Sequence, residues 1–320
     1  MAITNFITPY SPLVRGLSYA LLSLIGATLL SWVAAEVPGL SLSVHFRFHY
    51  AWGLLLCLGG LWRQRKRLRW WLGVAALLFN LTQVLPLYLP PAPESRPAPD
   101  SPTLTLLSFN LLSENQHHAA ARDYLLAQQP DVLLLLEFTP RWEGALAPVL
   151  AQYPHQQRLP RTGHYGMALL SRFPLDSTRW VWPGDAPFPA LYAEVCAHGQ
   201  SFRLMCLHPP APPLWEKLNW RNQQLEALPA LLGEATNPLI LWGDFNLTEQ
   251  HPLFPRLLAQ LDLRDTRQGR GRQASWPVRW GAWGLPLDHC LIGPSFAVLD
   301  RTLGPNLGSD HRPLRVELSW

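Results

Sequence analysis

The sequence predicts an α/β fold: layered, mixed β-sheets with helices, preceded by an N-terminal bundle of about three transmembrane helices. Two observations predict the α/β part. From residue 103 onward, short apolar runs of strand length recur, and stretches of helical period lie between them. A third observation predicts the anchor, because three apolar segments crowd into the first 90 residues.

The first segment, Gly16 to Ala35, carries no charge over the length a helix needs to cross a bilayer, about 20 residues. Val33-Ala34-Ala35 also suits a leader cleavage site. A second apolar stretch, Tyr50 to Trp62, and a third, Trp70 to Leu89, follow at once and favour an anchor. The expected spans are 16–35, 46–62 and 70–89, within an anchor over residues 1–90. Between the last two lies Arg63-Gln64-Arg65-Lys66-Arg67-Leu68-Arg69, flanked by Trp62, Trp70 and Trp71. Basic loops stay cytoplasmic and tryptophans settle at the interface. The expectation is therefore a multi-pass protein of the cell (inner) membrane, with the lipid bilayer as partner and its C-terminal domain periplasmic or extracellular. The competing arrangement has two spans, with the middle stretch lying on the surface.

That loop also accounts for the charge. The formal net charge is +4 and the loop alone carries five basic residues, so the remainder is close to neutral. A protein that grips long duplex DNA displays a basic surface, and this composition argues against one. Residues 86–102 hold seven prolines, which forbid helix and favour extended chain. Residues 91–102 are accordingly expected to be a spacer between the anchor and a domain over 103–320. The four cysteines show no disulfide or zinc spacing and are expected to be buried free thiols.

About 218 residues from Thr103 onward suffice for one substantial core. Strands are expected at Leu104–Phe109, Val132–Glu137, Met167–Ser171, Ala190–Cys196, Phe202–His208, Leu239–Trp242, His289–Ile292 and Leu314–Leu318. Helices are expected at Ala119–Gln129, Ala145–Gln152, Trp215–Leu231 and Leu253–Gln260, and a hairpin turn at Ala197–Ser201.

Candidate site residues terminate these runs. Gly243-Asp244-Phe245-Asn246 follows the apolar Pro238–Trp242, and an Asp and an Asn two residues apart on extended chain point the same way. That pairing suits a hard cation or an attacking water, although an Asx turn capping a strand has the same sequence. Leu287-Asp288-His289 and Gly308-Ser309-Asp310-His311 also follow turn residues, and an Asp beside a His can fix an imidazole or offer an oxygen ligand.

Together with Ser108-Phe109-Asn110, Glu137 after Asp131–Leu136, and His208, these clusters resemble the ordered motifs of the endonuclease/exonuclease/phosphatase superfamily. The resemblance covers roughly residues 103–320. It implies a four-layer α/β sandwich of two face-to-face sheets, and hydrolysis of a phosphate ester with Mg²⁺ or alternatively Mn²⁺. It further implies Glu137 as principal metal ligand, assisted by Asn110 and Asp310. Asp244 would orient or deprotonate water, and Asn246 would hold a phosphate oxygen. His311, held by Asp288, would contact the scissile phosphate, while His208 supplies a second contact or assists the leaving group.

The chain departs from nuclease members at His164-Tyr165-Gly166, where some of them carry an acid that supports the equivalent of His208. Arg172, Trp280 and Trp283 are candidate substrate contacts, with strand capping the alternative for Arg172 and core packing for the tryptophans. Trp276 is expected to pack, and His117, His118, His155 and His289 to be structural. The substrate is then a lipid head group, a nucleic acid or a small phosphoester. A non-catalytic membrane scaffold and a nuclease for extracellular DNA are the alternatives.

Overall fold

The computed structural model describes residues 11–90 and 101–320, apart from 34, 36, 38, 213 and 234–236. Most of the expected proline spacer lies outside the described residues. The chain divides into two units, Met1–Pro86 and Leu87–Trp320.

In the first unit, α1 (Pro12–Val33), α2 (Arg47–Gly60) and α3 (Leu68–Val84) pack around Leu21, Leu54, Leu58, Leu61 and Trp70. Two of their polar groups pair inward: Asn80 Nδ2 donates to Thr28 Oγ1 at 2.9 Å, and Trp70 Nε1 to Leu58 O at 3.1 Å. Among the described residues, two helices are long and apolar enough to cross a membrane, Pro12–Val33 and Leu68–Tyr88. The expectation of three spans is corrected here. α2 has 14 residues, and at 1.5 Å per residue it reaches about 21 Å, short of the roughly 30 Å hydrocarbon layer.

The second unit holds two six-stranded sheets. The first contains β1 (Thr103–Asn110), β2 (Val132–Leu136), β3 (His155–Leu159), β4 (Met167–Ser171), β11 (Ala297–Leu303) and β12 (Leu314–Ser319) in the order β11-β12-β1-β2-β4-β3. The second contains β5 (Leu175–Val181), β6 (Ala190–Ala197), β7 (Gln200–Leu207), β8 (Leu239–Asp244), β9 (Arg264–Asp265) and β10 (Asp288–Ile292) in the order β5-β6-β7-β8-β10-β9. Each sheet is mixed, with β1–β2 and β7–β8 its parallel pairs.

The burial of alternate residues explains the layering. On β2, Val132, Leu134 and Leu136 enter the core between the sheets, while Leu133 and Leu135 pack outward on α4 (His118–Gln128), α5 (Pro140–Ala145) and α6 (Ala147–Leu150). On the other sheet, Ile240 and Trp242 face inward. Leu239 and Leu241 face α7 (Trp215–Leu232) and α8 (Leu253–Gln260). Strands covered on both faces read as continuous apolar runs. The order is helix, sheet, sheet, helix.

The expected 145–152 helix is two short ones broken at Leu146, the first capped by Thr139, whose side chain accepts from Trp142 N–H. His198 and Gly199, both at positive φ, make the hairpin turn joining β6 to β7. Gly243 holds φ +138°, and a Cβ there would lie 2.1 Å from Leu207 O on β7. Gly243→Ala is therefore expected to cost about 2–3 kcal/mol, checked by urea unfolding.

Candidate active site

The candidate residues arise from the inward register of the sandwich. On β1, Leu104 and Leu106 face the other sheet, and the same parity continues to Ser108 and Asn110. On β7 the inward Phe202, Leu204 and Cys206 lead to His208. On β8, Ile240 and Trp242 lead to Asp244. β10 runs antiparallel to β8 with Asp288 opposite Asp244, and the 308–311 turn precedes β12, antiparallel to β1. The apolar inter-sheet core thus ends, at one edge of both sheets, in polar groups.

Asp244 is the centre, with 1% of its surface exposed. Its Oδ1 accepts from Asn246 N–H at 2.9 Å, and its Oδ2 accepts from Asn110 Nδ2 at 3.2 Å. His311 Nε2 and His208 Nε2 stand 3.5 and 3.6 Å from the same Oδ2. His311 Nδ1 pairs with Asp288 Oδ2 at 2.8 Å, and Asp288 N–H donates to Ser275 Oγ. Ser309 Oγ donates to Asn110 O and accepts from His311 N–H, which ties the last turn to β1.

These neighbours set the proton affinities. Burial raises the Asp244 carboxyl above the usual range, against the pull of His311. Burial also works against the ionised Asp288, but His311 and Ser275 outweigh it and hold that carboxyl low. Burial would lower His311, yet Asp288 and Asp244 overcome it and push the imidazole up to about 10. The arrangement is an Asp288–imidazolium pair beside a carboxylate better disposed to accept a proton.

Glu137 follows β2 at φ +54°, which breaks the strand alternation and turns its side chain toward the site edge. It is mostly buried, and burial opposes its ionisation, but His208 and then His164 hold its carboxyl low. Ser113 N–H and His164 Nδ1 both donate to Oε2, each at 2.9 Å. A mostly buried carboxylate of this kind is a donor that divalent cations take.

Several expected site residues make contacts that spacing alone did not indicate. Asn246 sits at φ +48°, off the strand, so it does not point alongside Asp244; its Nδ2 donates to Pro209 O at 3.0 Å. Asp310 belongs to neither carboxylate–histidine group among the described residues, and its Oδ2 accepts the Trp276 indole N–H at 2.8 Å. Trp276 therefore does more than pack. Arg172 follows Ser171, which pairs with Val132, whereas Glu137 follows Leu136, which pairs with Met167. Arg172 is thus at the opposite end of the sheet, roughly 20 Å of strand away, with its guanidinium 6.0 Å over Tyr153. Arg172→Ala is expected to leave kcat/KM within about twofold and to lower the melting temperature, the result for a structural cation.

Trp280 and Trp283 are about half exposed, on a short 3₁₀ turn (Val278–Trp283) whose Val278 N–H bonds Asp310 O. His289 is fully buried on Leu247 O, pushed down to about 4 by burial and Arg267, as a structural histidine. Sequence reasoning missed Glu114 and the contact of His164 with Glu137. The odd residue at 164 was the available signal.

Buried Asp244, the charged His311 and the mostly buried Glu137 gather at one sandwich edge, and carboxylates set beside an imidazolium suit metal-assisted hydrolysis of phosphate esters. The chain belongs to the Endonuclease/Exonuclease/phosphatase family, which its residues 107–311 match. It is a metal-dependent hydrolase acting on phosphate ester bonds. Among solved structures, it is similar to humanized D. rerio TDP2 carrying 14 mutations, at 18% identity and TM-score 0.56 over 68% of this chain and 99% of that one. The human Nocturnin catalytic domain with bound sulfate is similar at 20% identity and TM-score 0.57, over 68% and 95% of the two chains. The 3′-5′ exonuclease NExo from Neisseria meningitidis is similar at 22% identity and TM-score 0.55, over 68% and 100%. At these identities the likeness speaks for the fold. No curated protein matches the chain.

Proposed function

We propose that the chain is a membrane-anchored phosphoesterase. Its substrate is a phosphodiester or phosphomonoester of a lipid head group, a nucleic acid or a small molecule. The observation that carries this reading is the convergence of Asn110, His208, Asp288 and His311 on the buried Asp244. Glu137, assisted by Asn110 and Asp310 as the family resemblance implies, would hold Mg²⁺ or Mn²⁺. A cation held there would supply positive charge to offset that developing on the phosphate and its leaving oxygen. Asp244 takes the proton of the attacking water. His311 donates to a phosphate oxygen from Nε2 while Asp288 holds Nδ1, and His208 supports the leaving side. Asn246 fixes Asp244 through its backbone N–H, and a rotation that frees its Nδ2 from Pro209 O would let it hold a phosphate oxygen. Trp280 and Trp283 would seat a base or an apolar lipid portion.

The length and apolarity of α1 and α3 support the anchor. Only α3 separates the basic Arg63–Arg69 loop from the hydrolase domain. One crossing by α3 puts the two on opposite faces, whatever α1 and α2 do. With the basic loop cytoplasmic, the site faces outward from the inner membrane. The near-neutral remainder of the chain favours lipid or small substrates over duplex DNA, although the exonuclease neighbour keeps nucleic acid in view.

The test is turnover by the full chain in detergent on phospholipids, single-stranded and duplex DNA, and a chromogenic phosphodiester, with and without divalent cation. Metal-dependent turnover, reduced at least about 10²-fold in His311→Ala, is the expected result. A folded chain that binds no divalent cation and cleaves nothing would favour the scaffold alternative.

A further inference from the structure

The metal side of the site contains a group that an all-oxygen Mg²⁺ site does not need. Three segments meet there: Ser113-Glu114 after β1, Glu137 after β2, and His164 before β4. Ligand atoms of Glu114, Glu137 and His164 all lie within 4.8 Å of one another. Donors bound to one cation at about 2.1 Å stand roughly 3 to 4.2 Å apart, so small side-chain rotations close the set. Glu137 is mostly buried, while Glu114 and His164 keep 65% and 52% of their side chains exposed and free to rotate.

The position of His164 is built into the fold. Gly166 places the loop against the Phe138 backbone, where a Cβ would lie 2.0 Å from Phe138 O. Phe138 N–H bonds Gly166 O at 3.0 Å, and Arg161 N–H bonds Phe138 O at 3.1 Å. The backbone that follows Glu137 therefore carries the His164 loop with it. His164 Nδ1 stands 2.9 Å from Glu137 Oε2, a separation a shared cation can replace. A second imidazole borders the same carboxylate: His208, nine-tenths buried, has no hydrogen-bond partner at Nδ1 and is the strongest electrostatic neighbour favouring the charged Glu137. Nitrogen is thus concentrated around the one buried carboxylate on this side.

We infer that His164 and Glu114 join Glu137 as a mixed nitrogen–oxygen ligand set that selects a first-row transition cation over Mg²⁺. This rests on the hydrolase reading and names its metal. Mg²⁺ holds oxygen ligands and dehydrates reluctantly, so an imidazole adds little to its binding. Transition ions accept imidazole readily. Mn²⁺ is the mildest of them and stays compatible with the carboxylates.

The experiment uses the full chain in detergent with Mn²⁺ and Mg²⁺ alone. Free Mn²⁺ is counted by electron paramagnetic resonance, Mg²⁺ affinity is read by competition, and pulsed spectra report ¹⁴N coupling to bound Mn²⁺. His164→Ala is expected to lose the ¹⁴N coupling and at least about tenfold in Mn²⁺ affinity, with Mg²⁺ affinity changed by less than about twofold. Glu114→Gln is expected to weaken both ions and keep the nitrogen coupling. Both positions are half exposed or more, so both variants should fold, checked by circular dichroism. Wild-type binding without ¹⁴N coupling, or equal losses for both ions in His164→Ala, would overturn the inference and leave the hydrolase reading intact. Absence of any divalent binding by the wild type would overturn both.

Discussion

Asp244→Asn is expected to leave the fold intact and lower turnover by about 10³-fold. Asp244 Oδ2 accepts from Asn110 Nδ2 and faces two imidazoles, while its Oδ1 is committed to Asn246 N–H. An amide at 244 must keep an acceptor toward Asn246, which turns its NH₂ against the NH₂ of Asn110. Asn110 is not free to flip, because its Oδ1 accepts from Leu112 N–H at 3.1 Å. The substitution therefore removes the base and sets two donors against each other.

The pH profile distinguishes these roles. In the wild type, Asp244 must be ionised, and burial has raised its carboxyl, so the acid limb of activity should lie above the ordinary aspartate range. His311 must be charged and is held up at about 10, so activity should fall only as pH rises through about that value. Asp288→Asn takes away the main anion that holds the His311 proton. Its alkaline limb should move down toward the free imidazole value, about 6.5, while the acid limb moves less. An unchanged alkaline limb in that variant would remove His311 as the proton donor. The same sign governs stability: the His311 contribution is full below about 6.5 and is lost as pH rises through about 10.

Much of this site was legible because it obeys strand parity. His208 and Asp244 each take the next inward position after apolar inward residues, Asn110 does so after Ser108, and Asp288 opens a strand whose inward Cys290 and Ile292 follow it. A polar residue there ends a core, and the apolar run before it marks the place. Parity fails where the backbone leaves the extended region. Asn246 and Glu137 both have positive φ, so spacing alone misjudged the first and gave no direction for the second. Arg172 was misplaced for another reason: sequence shows that a residue ends a strand but not which edge of the sheet that end reaches. β3, β5, β9 and β11 were invisible because they include the sheet edges, where polar side chains such as His155, Gln156, Gln157, Arg179 and Asp300 replace alternation. In the anchor, apolarity overstated the middle segment, since a 14-residue helix packed between two longer ones needs the same composition as a span.

Arg267→Met is expected to lower the unfolding free energy by about 3–5 kcal/mol, because it strands two carboxylates in the interior. Arg267 is fully buried, and its guanidinium donates to Asp265 Oδ2 at 2.7 Å, to Glu249 Oε2 at 3.0 Å and to Arg272 O at 3.3 Å. Burial alone would raise the Asp265 carboxyl, but Arg267 outweighs it and holds that group at about 2. A depressed carboxyl stabilises the fold above its ordinary value, about 3.9, and loses that contribution as pH falls through about 2. The deficit of Arg267→Met should therefore be largest at neutral pH and shrink toward pH 3, read by denaturant unfolding. An equal deficit at both pH values would mean lost packing rather than lost countercharge. Adding Asp265→Asn should restore part of the neutral-pH loss, since it removes one stranded charge. The network also joins the two halves of the site. Glu249 lies in the loop that follows Asp244, and Asp265 is on β9, paired to the β10 strand that begins at Asp288. Nearby, Arg301 donates to Thr266 Oγ1 and to the Asp288 carbonyl, bracing the same strand end. Loosening Arg267 should thus raise the spread of Asp244–Asp288 spacing and lower kcat more than it raises KM, because the proton acceptor and the imidazolium must hold their separation when the phosphate is attacked.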